Sequence, residues 1–133
     1  MISAQQALYL IRSSLLALND ANRTGNYTVL RDLATPAFQA RNSAADLALT
    51  FSDLRRRNFD LYAVAVEAPQ LTTPPAVNEN GVLVLAGYFA TQPKQIRFEL
   101  VYQAVDNHWR LHSISVATPD APPPPQADAG KNR

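Results

Sequence analysis

The chain has 133 residues, a formal net charge of +1, 47% hydrophobic and 17% charged residues, ten prolines and no cysteine. That length is one domain's worth; the absent thiols exclude disulfides, zinc–thiolate centres and cysteine nucleophiles, and the near-neutral balance argues against nucleic-acid binding as the main function. No apolar run reaches the ~18 residues that a membrane-spanning helix needs.

The first element is a helix between Ser3 and Thr24. Leu8, Ile11, Leu15 and Leu18 step by three and four, with Ala4 and Ala21 extending the stripe, the spacing of one buried helical face. Gly25 supplies a left-handed stop and Asn26 a cap for the next helix. That second helix runs from Tyr27 through Leu30 and Leu33 to Thr35, where Pro36 ends or re-aims it. Ser43-Ala44-Ala45-Asp46 reads as a capping box with Asp in place of Glu. From it a third helix carries Leu47, Phe51 and Leu54 inward and ends near Asn58. Arg55-Arg56-Arg57 falls in the last turn of that helix, where cations complement the macrodipole; a phosphate or acidic-partner patch is the alternative reading, with no other basic cluster beside it.

Past Asn58 the period changes. Leu61–Val66 alternates and predicts a strand ending at Pro69, whereas Leu71–Val77, with Pro74-Pro75 inside it, belongs at an edge or in a loop. Asn80-Gly81 is a turn, Val82–Phe89 a strand, Gln92-Pro93 a bend and Gln95–Val105 a long strand. Asp106-Asn107 turns the chain once more, and Trp109–Val116 closes the sheet. Helices first and an antiparallel meander after them give an α+β fold: three N-terminal helices packed on a curved antiparallel β-sheet. The domain covers 1–117. Thr118–Arg133 contains no Val, Ile, Leu or aromatic residue, so it predicts a disordered Pro-rich tail.

The strand faces say more. Ile96, Phe98, Leu100 and Tyr102 form one apolar face, but Val82–Phe89 is apolar on both. A sheet with water on one side alternates more sharply. A second copy covering that face, in a homodimer, is the economical partner. In the last strand Trp109 and Leu111 share one parity while Ile114 and Val116 share the other. A β-bulge near His112-Ser113 would bring all four to the helix side.

The Asn22-Arg23-Thr24-Gly25-Asn26-Tyr27 break, Pro36 followed by Phe38, and the closing Trp109-Arg110-Leu111-His112-Ser113-Ile114-Ser115-Val116 strand together resemble the NTF2-like superfamily of cystatin-like α+β cones. The resemblance covers Ser3 to Val116. It implies a cone-shaped cavity between sheet and helices, dimerisation through the sheet, and a function among isomerases, dehydratases, ligand binders and catalytically silent partners. Exported bacterial members share this build. Met1–Gln6 has neither a basic nor an apolar leader region, so the expectation is an exported, periplasmic chain if a signal segment was removed upstream and a cytoplasmic one otherwise.

For such a cone the expected occupant is a small apolar or aromatic ligand, or a partner protein. The lining expected from the sequence is Tyr9, Phe38, Phe51, Tyr62, Tyr88, Tyr102 and Trp109, an apolar wall with phenolic groups to orient a guest. No catalytic residue, cofactor or metal site is expected. Glu67 and Glu99 lie at a strand end and on an outward face, and His108 and His112 stand ~13 Å apart on a regular strand, too far to share one zinc. An isomerase- or dehydratase-type enzyme using a cavity carboxylate or histidine, and a purely structural dimeric module, are the alternatives.

Overall fold

The computed structural model describes residues 2–122. Helix α1 (Ala4–Thr24) opens on a capping box in which Ser3 Oγ accepts from Gln6 N while Gln6 Oε1 accepts from Ser3 N. It closes on Gly25 at φ 77°, the left-handed conformation that glycine adopts at no steric cost. Its buried face is rotated slightly from the expected stripe: Ala7, Ile11, Ser14, Leu15, Leu18, Ala21 and Asn22 are buried, Leu8 is half-buried and Ala4 exposed. Tyr102 explains the shift, because its hydroxyl bonds Ser14 Oγ at 2.7 Å and Leu10 O at 2.9 Å and draws that side of α1 onto the sheet.

The expected second helix is shorter than its 27–35 span, an unexpected helix follows Pro36, and the expected third helix is split in two. Helices α2 (Thr28–Asp32) and α3 (Pro36–Arg41) are separated by residues 33–35, with Pro36 at the first helical position and Thr35 Oγ1 accepting from Phe38 N. Helix α4 (Ala44–Thr50) begins on the Ser43–Asp46 capping box, and Phe51, at φ −104° and ψ 17°, separates it from α5 (Ser52–Arg56). A 3₁₀ turn, Tyr62–Ala65, replaces the strand expected over Leu61–Val66. Both parities of that segment are apolar, so alternation could not discriminate. Burial picks out Leu61 and Val64, the 3₁₀ repeat of three.

The sheet is open and antiparallel, in the order β1–β3–β4–β5, with β2 also on the β1 side of β3. Strands β1 (Gln70–Leu71) and β2 (Ala76–Val77) pair with opposite ends of β3 (Val82–Phe89), and Pro74-Pro75 lies in the gap between them. Strands β4 (Ile96–Val105) and β5 (His108–Ala117) form a hairpin closed by Asp106 (φ 51°) and Asn107 (φ 66°), the paired positive φ of a type I′ turn. The register steps from Val101↔Ser113 to Tyr102↔Leu111, so His112 is the extra residue of a β-bulge. Trp109, Leu111, Ile114 and Val116 therefore all pack toward the core.

The chain does not leave the sheet at Ala117. Gln95 N donates to Pro119 O, Ala121 N to Pro93 O, and Arg57 Nη2 to Thr118 Oγ1, each at 2.8–2.9 Å, while Lys94 pairs with Asp120. The rest of the Pro-rich segment, from Pro123 on, lies outside the described residues.

Candidate functional site

Between sheet and helices the space is occupied by side chains. Leu15, Leu18, Leu30, Leu61, Leu83, Leu100 and Phe89 are all fully buried there. Tyr102 joins them with its hydroxyl satisfied twice, and burial pushes its pKa well above the usual tyrosine value, the Ser14 hydrogen bond opposing this in part. A phenol so engaged braces α1 against β4 and has no free donor to offer a guest.

An opening sits at the rim. A recess of about 430 Å³ lies between the 3₁₀ turn and the β3–β4 loop, with Phe59, Tyr62 and Ala63 on one side, Ile96 beside them, and Thr91 to Lys94 opposite. Local hydrogen bonds fix the first wall: Asn19 Nδ2 and Tyr62 N both donate to Asp60 Oδ1, and Leu61 N donates to Asn19 Oδ1. Arg12 secures the far end of the turn, its Nε donating to Val64 O at 2.9 Å and its Nη2 to Glu67 O at 2.8 Å. The opposite wall turns at the cis Gln92–Pro93 bond and is backed by the Lys94–Asp120 pair. Lys94 holds the Asp120 carboxyl below its ordinary range, through its hydrogen bond first and its charge second. Asp60, Glu67 and Lys94 give the rim both signs of charge.

The seven aromatic residues expected to line one cavity do not converge. Tyr62 borders the rim recess and is 65% exposed. Phe51 borders a separate hollow of about 220 Å³ against Ile114–Thr118 of β5 and its exit. Phe38 is buried on α3, Trp109 is half-buried at the start of β5, and Tyr9 is exposed on α1. Tyr88 stands on the outer face of the sheet, its hydroxyl donating to Gln70 Oε1 at 3.0 Å and its ring lying 5.0 Å beneath the Arg97 guanidinium. Phe59, Pro93 and Lys94, which matter at the rim, carry no motif; only the fold brings residues 59–67 beside 90–96.

His112 uses its bulged position structurally: its Nδ1 lies 3.0 Å from Thr35 Oγ1, and its carbonyl accepts from Arg41 Nη2. No cluster of three or more metal-ligating side chains occurs among the described residues, and no helix among them is long and apolar enough to cross a membrane. Comparison with known proteins found no matching family model, no matching curated protein and no matching solved structure.

Proposed function

We propose that the protein is a non-catalytic binding module of the NTF2-like kind, which takes a small apolar or aromatic molecule at the rim of its cone. The observation that carries this reading is the recess of about 430 Å³ with Tyr62 standing 65% exposed beside it. Small-molecule sites run ~300–1,000 Å³ and combine an apolar lining with a few polar groups. Phe59, Ile96 and the Tyr62 ring supply apolar surface, and a ring stacked on Tyr62 would remove area on both partners from water. Thr91 and Gln92 offer hydrogen bonds for orientation. Asp60 is committed to Asn19 and the 3₁₀ backbone, and Glu67 is exposed, so the reading gives neither carboxylate a proton-transfer role.

The test is a chemical-shift titration of the full chain with indole and 2-naphthol as probes. Saturable shifts confined to Tyr62, Ala63, Thr91 and Ile96, and abolished by Ala63→Trp, which fills the recess, are the expected result. Shifts scattered over the core, or binding unchanged in Ala63→Trp, would overturn it.

A second reading adds a partner. Val82, Val84, Ala86, Tyr88, Val101 and Val105 form a half-buried outer sheet face bordered by Arg97, Glu99, Gln103, Ser113 and Ser115. An apolar centre with a polar rim is the anatomy of a protein interface. A second copy of the chain is the occupant that this reading names, joined face to face across β3 and β4.

A further inference from the structure

A second concavity lies apart from the rim recess, where the end of α1 meets α5. It measures about 630 Å³ and is lined by Asn22, Arg23, Ser52, Arg55, Arg56 and Asn58. Every one of these side chains can donate a hydrogen bond, and none is a carboxylate. The Arg55-Arg56 pair belongs to the basic run at the end of α5, which the helix macrodipole accounts for only as a charge preference.

Arg23 and Arg56 each touch one aspartate, Asp20 at 3.0 Å and Asp53 at 2.6 Å, with all four side chains more than half exposed. Exposed pairs of this type are weak and exchange readily. Arg55 has no carboxylate partner among the described residues; its Nε donates to Asn22 O at 3.2 Å. Gly25 leaves that guanidinium its room, since a Cβ there would lie 3.0 Å from Arg55 Nη2.

Asn22 supplies the independent observation. It is 8% exposed, its Oδ1 accepts from the Tyr27 hydroxyl, and its Nδ2 is buried with no hydrogen-bond partner. Buried side-chain donors are nearly always satisfied. Here the unsatisfied one belongs to a residue that borders the arginine basin and its smaller continuation of about 140 Å³. The carboxylate in that continuation, Asp60, already accepts from Asn19 Nδ2 at 3.0 Å and from Tyr62 N at 2.9 Å.

We propose that this basin binds a phosphoryl oxyanion, free or as the monoester of a small molecule, held by the Arg55 and Arg56 forks with Ser52 and Asn22 as neutral donors. Guanidinium forks match two oxygens of a phosphate at a time, and the donors gathered here outnumber what one carboxylate can accept. The site is independent of the rim recess and of the ligand reading attached to it.

The test is a ¹⁵N titration of the full chain with inorganic phosphate and, separately, phenyl phosphate, at ionic strength held constant with chloride. Saturable shifts of the Asn22 side-chain amide and the Arg55 Nε–H are expected, with affinity at least fivefold weaker in Arg56→Gln and at least tenfold weaker in Arg55→Gln. Arg41→Gln, on α3, should bind as the parent does. Tighter phenyl phosphate would assign a monoester, and equal or tighter inorganic phosphate the free ion. Non-saturating shifts, the same shifts in chloride alone, or an undiminished affinity in Arg56→Gln would overturn the proposal. Arg56 makes only an exposed contact, so its variant decides the matter even if Arg55→Gln folds poorly.

Discussion

At Gly87 the backbones of β1 and β3 approach so closely that no side chain fits. A Cβ there would lie 2.2 Å from Gln70 O and 2.9 Å from Leu71 Cα, both backbone atoms. Gly87→Ala must therefore push β1 off the sheet, and a loss of ~1–3 kcal/mol is expected, as for an overpacked site. Urea unfolding measures the loss, and amide exchange should locate it at residues 70–72. Tyr102 makes a different prediction. Burial raises its pKa, and burial also raises that of Tyr27 against the lowering effect of Arg55. A folded-state pKa above the unfolded one means the unfolded chain releases protons first once pH passes ~10. Stability is then intact below that pH and falls above it, approaching ~1.4 kcal/mol per pH unit for Tyr102, with Tyr27 acting in the same direction. Unfolding curves between about pH 9 and 11 should steepen accordingly, and Tyr102→Phe should remove one tyrosine's share of the slope. At neutral pH the same variant should lose ~1 kcal/mol, the cost of leaving Ser14 and Leu10 O short of a partner. An alkaline profile identical to the parent's would contradict the burial of this hydroxyl. Sequence reading named Tyr102 for a cavity wall because a tyrosine on an apolar face shows where its ring goes but not what its hydroxyl meets. The answer lay 88 residues away, at Ser14.

Elements whose signals are local were legible. Ser43 with Asp46, Gly25, the Asp106-Asn107 turn and the parity change across His112-Ser113 each specify backbone within four residues, and each appears where the sequence places it. The 61–66 segment was not legible, since its conformation depends on Arg12, which reaches across from α1 to two of its carbonyls. Phe51 likewise reads as one continuous helical face, while its backbone ends α4 and starts α5. If Arg12 holds the 3₁₀ turn, Arg12→Ala should cost ~1–2 kcal/mol, the lower end for hydrogen bonds to a charged donor because the site is partly exposed. The loss should appear first as faster amide exchange over residues 61–67 and as weaker probe binding at the rim recess. Arg12→Lys, which can serve one carbonyl but not both, should recover only part of it. Equal protection of 61–67 in all three proteins would remove Arg12 from that role.

For the whole molecule, the unusual surface is the outer side of the sheet. Val84 lies directly opposite Val101 there, each half-buried within a single chain. Light scattering coupled to size exclusion should give a dimer that Val84→Glu or Val101→Glu converts to a folded monomer, because a like-charged pair of carboxylates would be desolvated at the joint. A monomeric parent at high micromolar concentration would refute the pairing. The α+β class followed from the order of elements, and the alignment of Trp109 with Ile114 from one bulge. The candidate sites did not follow, since both the rim recess and the arginine basin join segments more than 20 residues apart. The ends of the sheet have their own consequence. On one side β1 and β2 offer two residues each around Pro74-Pro75, which have no N–H to give. On the other, Thr35 N and Arg110 tie residues 32–35 along the bulged stretch of β5. An incoming strand therefore finds no continuous border beside β1 and β2, and beside β5 only the stretch past the bulge, so a concentrated solution of the native protein should resist seeding into cross-β fibrils.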